Sequence, residues 1–130
     1  MIKQIAHVGI AVTNLEQVRE FFHSTFKIDC SPITEDEGLK VCMLNIDNSK
    51  LELMEPTDNK GAVAKFLEKR GEGIHHICFE VDNIDQTIES LKTQGVELVN
   101  NKPRPGAEGK IIFAHPRSMH GMLVEFVEKY

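Results

Sequence analysis

Two histidines and two glutamates recur at matched places in this chain. His7 lies in IAHVGIAVTNLEQVREFF and His76 in IHHICFEVDNIDQTIESL, which align without a gap at a constant offset of 69 (76 − 7). Ile5 falls on Ile74, Val12 on Val81, Asn14 on Asn83, Gln17 on Gln86 and Glu20 on Glu89. Further along, LELMEP carries Glu52 between Leu51 and Leu53, and LVEFVEK carries Glu125 between Val124 and Phe126, at an offset of 73 (125 − 52). One histidine at a strand start is usually structural, and one glutamate on a polar strand face is usually solvated. Recurrence of both types at matched positions is not explained by solvent exposure. Two imidazoles and two carboxylates suit a divalent cation: Co, Ni, Zn, Mn and Mg all accept such nitrogen and oxygen donors. Four protein ligands also leave positions in an octahedral shell for a chelating substrate.

The elements that must carry these residues follow from periodicity. Val8, Ile10 and Val12 alternate with His7, Gly9 and Ala11, and Ile77, Phe79 and Val81 alternate with His76, Cys78 and Glu80. A period of two puts the aliphatic set on one face of a strand and the histidine on the other. Glu52 and Glu125 likewise oppose their aliphatic neighbours. A helix follows each opening strand, with Asn14 or Asn83 as its cap and Leu15, Val18, Phe21 and Phe22, or Ile84, Ile88 and Leu91, at helical spacing; Gly95 stops the second. Three strand-like runs come next in each module: IDCSPIT, LKVCMLNI and KLELMEP in the first, VELVN, KIIFAHP and GMLVEFVEK in the second. NKGAVAKFLEKRGEG between the modules reads as an amphipathic helix closed by Gly71 and Gly73.

The fold class expected is therefore α+β: two paired βαβββ modules in one domain over 1–130, forming a curled sheet cradle around a central metal site. Module one covers about 1–56, the linker helix about 60–70 and module two about 73–130. His75 falls on the face opposite His76, with Ala6 at its matched position, and reads as structural. His23, His115 and His120 have no matched partners and read as surface or loop residues.

Composition narrows the setting. The chain of 130 residues is 41% apolar and 27% charged with a net charge of −5, ordinary for a globular domain. No long basic run is present, which argues against nucleic acid as a partner. Cys30, Cys42 and Cys78 follow no metal or redox spacing and read as reduced thiols. MIKQIAHVG lacks the apolar core of a signal peptide, and no segment approaches a membrane span, so a cytoplasmic protein is expected.

Taken together, HVGIAV, LELMEP, VAKFLEKRGEGIHHICFEVDNI, PRPGAEGKIIFAHP and HGMLVEF make the whole chain resemble the vicinal oxygen chelate superfamily, also called the glyoxalase/bleomycin-resistance/dioxygenase fold. Within it, KRGEGIHHICFEV and the G..GKIIFAHP loop-strand most resemble the methylmalonyl-CoA epimerase family. Lactoylglutathione lyase (glyoxalase I) uses a similar ligand set, but its final strand usually follows a DPDG-type turn where this chain has HPRSMHG.

The resemblance implies that His7, Glu52, His76 and Glu125 hold the metal and that Glu52 and Glu125 are candidate acid/base groups, Glu125 foremost. The implied activity is interconversion of (R)- and (S)-methylmalonyl-CoA by proton transfer at the α-carbon through a metal-stabilised enolate. Glyoxalase I lyase activity and a non-catalytic small-molecule binder are the alternatives. Some epimerases carry Gln at the position of Glu52, and some have a further glutamate where this chain has Val41. That departure leaves the second acid/base open. An acyl-CoA substrate calls for cations near its phosphates, and Lys102, Arg104, Lys110 and Arg117 flank the glycine-rich loop, with Arg104 and Lys110 the named candidates. A homodimer is common in the family.

Overall fold

The computed structural model describes residues 1–130, Asp36 for its backbone alone. The element order is β1 (Ile2–Ala11), α1 (Leu15–Phe26), β2 (Thr34–Asp36), β3 (Leu39–Ile46), β4 (Ser49–Pro56), α2 (Ala62–Arg70), β5 (Gly73–Val81), α3 (Ile84–Thr93), β6 (Arg104–Pro105), β7 (Gly109–Ala114) and β8 (Val124–Lys129). This is the βαβββ, helix, βαβββ order expected from the residue pattern. The chain resolves into two compact units, one of His7–His75 and one of Met1–Ala6 with His76–Tyr130. The division falls inside β1 and β5, directly before each histidine of the matched pair.

In the first unit (His7–His75) the strands run β2-β3-β4-β1, with β1 parallel to β4 and the other neighbours antiparallel. Helix α1 starts at Asn14, whose side chain accepts from the Gln17 amide, and ends at Lys27 in a left-handed conformation (φ 59°). Its apolar face, Leu15 with Val18 and Phe22, packs on Cys42, Leu44 and Leu53. Leu15, Leu44 and Leu53 are fully buried, each worth about 1.5–3 kcal/mol in transfer free energy. Helix α2 lies on the opposite face of the sheet: Val63, Phe66 and Leu67 pack with Ala11, Met54, Leu39 and Val41. No side chain caps its start at Gly61, and Gly71 (φ 76°) closes it by donating to the Leu67 carbonyl.

In the second unit (Met1–Ala6 with His76–Tyr130) the order is β5-β8-β7-β6, with β5 parallel to β8. Asn83 caps α3 by accepting from the Gln86 amide, as Asn14 does for α1. Ile84, Ile88 and Leu91 pack on Ile112, Ala114, Val124 and Phe126. A second cluster on the other face joins Cys78, Ile111, Val127, Phe113 and Ala6.

The short runs after the first helix of each module depart from expectation. IDCSPIT makes a single bridge, Cys30 to Leu44, and strand β2 begins only at Thr34. VELVN makes one bridge, Leu98 to Ala114, while the Pro/Gly-rich loop supplies the two-residue β6. Beside each run a serine hydroxyl takes one backbone amide from a segment remote in sequence: the Ser31 hydroxyl accepts from the Met43 amide, and the Ser118 hydroxyl accepts from the Glu97 amide. Such side chain to backbone bonds compete with a continued ladder.

Candidate metal centre

The sequence-nominated residues fall into two pairs, one in each unit, built to the same plan. In the first unit, Gly9 of β1 lies opposite Glu52 of β4. His7, two residues before Gly9, shares its face, so imidazole and carboxylate meet diagonally across two parallel strands. Nε2 of His7 is 3.6 Å from Oε1 of Glu52. In the second unit, Cys78 of β5 lies opposite Glu125 of β8, and His76 precedes Cys78 by two. Nε2 of His76 is 3.2 Å from Oε1 of Glu125.

Both pairs stand on the face away from α1 or α3, as the alternation of Leu51 and Leu53, and of Val124 and Phe126, requires. His7, His76 and Glu125 are buried and Glu52 is partly so. Buried ionisable groups of this kind need a counter-charge or an ion. Adjacent donors around an ion with bonds of about 2.1 Å sit about 3 Å apart, so each pair has the spacing of two neighbouring ligands. The donor set therefore fits a divalent cation. The His76 ring is steadied edge-on by Phe113, with centroids 5.8 Å apart.

The remaining histidines serve elsewhere. His75 stacks edge-on against Phe66 of α2 at 5.1 Å. His23 pairs with Asp29 at 2.7 Å near the end of α1. His115 Nδ1 accepts from the Arg117 amide in the turn before β8, and His120 is an exposed left-handed turn residue (φ 56°). Of the cations near the glycine-rich loop, Lys102, Arg104 and Lys110 are exposed. Arg117 instead forks onto Glu97 through Nε at 2.8 Å and a terminal nitrogen at 3.2 Å. Gly109 has a structural cause of its own. A Cβ there would run into the Glu128 carbonyl oxygen, so the approach of β8 demands glycine whatever the loop binds.

Cys42 is buried and its thiol is pushed up to about 12, first by burial and then by hydrogen bonding to Cys30, so it stays protonated and inert.

Three structural acids escaped the residue pattern. Glu55 Oε1 accepts from the Leu15 amide at 2.7 Å, and Glu128 Oε1 accepts from the Ile84 amide at 2.9 Å. Each is three residues after a site glutamate, hence on the helix face, and each satisfies the first amide of α1 or α3. The signal was present: ELME and EFVE align at the same offset of 73 (128 − 55). The third, Glu80, is buried on β5. It accepts from Gln4 at 3.0 Å and pairs with Lys3 and Lys129, each at 3.2 Å. The Gln4 hydrogen bond, then those from Lys129 and Lys3, hold its carboxyl below the usual glutamate range in spite of burial. Its partners are remote in sequence, and no local spacing announces them.

Comparison with known proteins places this architecture. Residues 6–114 match the Glyoxalase/Bleomycin resistance protein/Dioxygenase superfamily. The chain is 38% identical to the mitochondrial methylmalonyl-CoA epimerase of Dictyostelium discoideum, over 98% of this chain and 80% of that protein. It is also 38% identical to the ethylmalonyl-CoA/methylmalonyl-CoA epimerase of Cereibacter sphaeroides, over 96% of this chain and 97% of the relative. Among solved structures, a single-substitution variant of Streptomyces coelicolor methylmalonyl-CoA epimerase in complex with 2-nitronate-propionyl-CoA superposes with a TM-score of 0.92 at 34% identity, covering 99% of this chain and 96% of that one. The chain belongs to the glyoxalase/bleomycin resistance protein/dioxygenase superfamily, and within it to the methylmalonyl-CoA epimerase family.

Proposed function

We propose that this chain interconverts (R)- and (S)-methylmalonyl-CoA, with His7, Glu52, His76 and Glu125 as the ligands of one divalent cation. The observation that carries the reading is the duplicated His–Glu pair, in the same register on two matched parallel strand pairs, with contacts of 3.6 and 3.2 Å. Relatives that cover nearly the whole chain support the substrate, because they act on this CoA ester or its ethyl homologue.

The α-carbon of the substrate lies between a thioester and a carboxylate, which makes its proton removable. A carboxylate on one side takes that proton, and the C–H electron pair moves into the thioester carbonyl to leave a planar enolate. An acid on the other side returns a proton, and the configuration inverts. Glu125 and Glu52, which stand at equivalent places in the repeat, are the groups assigned to those two sides, with Glu125 the principal one. Such acid–base transfer contributes about 10²–10⁴-fold. A divalent ion (Co, Ni, Zn, Mn or Mg), when bound, supplies Lewis-acid stabilisation of the developing negative charge, worth several kcal/mol. Val41, opposite Met54 and diagonal to Glu52 across β3 and β4, offers no proton, so the role falls to Glu52. Arg104 and Lys110, facing solvent beside the glycine-rich loop, are assigned to the CoA phosphates. The working form is a homodimer in the cytoplasm. No helix among the described residues is long and apolar enough to cross a membrane.

Incubation of the protein with methylmalonyl-CoA in heavy water tests this reading. Deuterium should enter at C2 and a chelator should stop it. Turnover of methylglyoxal plus glutathione, with no exchange on the CoA ester, would replace the epimerase by a glyoxalase I type lyase.

A further inference from the structure

Glu80 stands on the same face of β5 as His76 and Cys78, yet its charge is already claimed. Oε1 meets Gln4 Nε2 at 3.0 Å and Lys129 Nζ at 3.2 Å, and Oε2 meets Lys3 Nζ at 3.2 Å. Two ammonium groups and an amide leave this buried carboxylate compensated, so it is a clamp rather than a further ligand. What it clamps is specific. Lys3 and Gln4 belong to β1, four and three residues before His7; Glu80 is four residues after His76; Lys129 of β8 is four residues after Glu125. One carboxylate therefore ties together the three strands that carry three of the four proposed ligands.

The first module has nothing comparable. The position matching Glu80 is Ala11 (80 − 69), which is buried among apolar side chains under α2. Register matters on strand β1 as on its partners. A slip of one residue would turn His7 to the opposite face. Lys3 and Gln4 on Glu80, together with the N-terminal ammonium on Asp82, hold the start of β1.

We propose that Glu80 is a positioning residue of the metal centre. It sets the register at which β1 enters and holds the ends of β5 and β8, and so determines how His7, His76 and Glu125 present their donor atoms. This rests on the metal-site reading above. It acts through its partners and touches neither ion nor substrate.

Glu80→Gln tests it, since glutamine still accepts from Gln4 but loses its attraction for both lysines. Far-ultraviolet circular dichroism should be unchanged, while Co²⁺ affinity by calorimetric titration falls about 10–100-fold, the usual effect of removing a supporting group around a metal site. KM should hold, and the exchange rate should recover when Co²⁺ is raised to saturation. Lys3→Gln, on a side chain 56% exposed, should weaken Co²⁺ binding in the same direction by roughly threefold. His76→Ala serves as the control for the site itself. Wild-type Co²⁺ affinity in Glu80→Gln, beside lost binding in His76→Ala, overturns the positioning role and leaves the metal site standing. Absence of Co²⁺ binding in the wild type overturns both. Should Glu80→Gln not fold, unchanged affinity in Lys3→Gln overturns the proposal.

Discussion

In the first unit, the strand face bearing His7 and Glu52 runs on into Ala11 and Met54, sealed by Val63, Phe66 and Leu67 of α2. In the second, the face bearing His76 and Glu125 runs on into Cys78, Ile111 and Val127 without a helix in that cluster, and ends at the charged knot of Glu80, Lys3 and Lys129. The His–Glu pairs and the helix caps match between the modules, while the groups that close each strand face differ. One half is held by apolar burial, which is non-directional and tolerant of sliding. The other adds to its apolar clusters the ionic contacts of Glu80, which are directional.

Several substitutions would break or sharpen that contrast. The largest effect is expected from the imidazoles. His7→Ala and His76→Ala should each lower activity on the order of 10³-fold at low metal, the equivalent of several kcal/mol of Lewis-acid stabilisation. Steady-state rates against Co²⁺ concentration would show whether the two losses match, as a shared ion requires. Next come the carboxylates. Glu125→Gln should reduce exchange at C2 by about 10²-fold or more even at saturating metal, and Glu52→Gln by less, a ranking readable by isotope wash-in.

Backbone packing is unequal as well. Gly109→Ala drives a methyl toward the Glu128 carbonyl and should cost about 3 kcal/mol in urea unfolding, with Gly106→Ala well below that because its nearest contact is the Ile111 side chain. Smaller again, Glu55→Gln and Glu128→Gln should each cost about 1 kcal/mol and should do so equally, since each caps the first amide of one module's helix. The acid limb should differ between the modules. The Glu80 carboxyl is held below its ordinary range, so its contribution is present above the unfolded glutamate pKa of about 4.3 and is lost as pH falls through the depressed value. Glu80→Gln should therefore flatten the fall in stability below about pH 4, and thermal melts across that range would show it.

Much of this was legible in the chain because the duplication doubled each weak signal. Asn14 and Asn83 are ordinary polar residues singly, but at an offset of 69 they are matched helix caps, and the structure has them so. The alternation around His7 and His76 assigned their faces, and the run LKVCMLNI became β3 without adjustment. The runs IDCSPIT and VELVN were illegible for a physical reason. Their apolar residues pack on the helix-side clusters, Ile28 and Cys30 in one unit, Val96 and Leu98 in the other, yet each run yields only a single bridge. Apolar content alone does not distinguish packing from pairing. Glu55 and Glu128 were readable as E-x-x-E repeats, whereas Glu80 depends on partners 76, 77 and 49 positions away (80 − 4, 80 − 3, 129 − 80), which no local pattern reveals.

The central claim is that two duplicated pairs act as a single centre. Equilibrium dialysis of the full chain against Co²⁺ tests it most directly. One ion per chain, lost alike in His7→Ala and His76→Ala, is the result expected. Two ions per chain, each abolished by only one of the substitutions, or no ion at all, would contradict it.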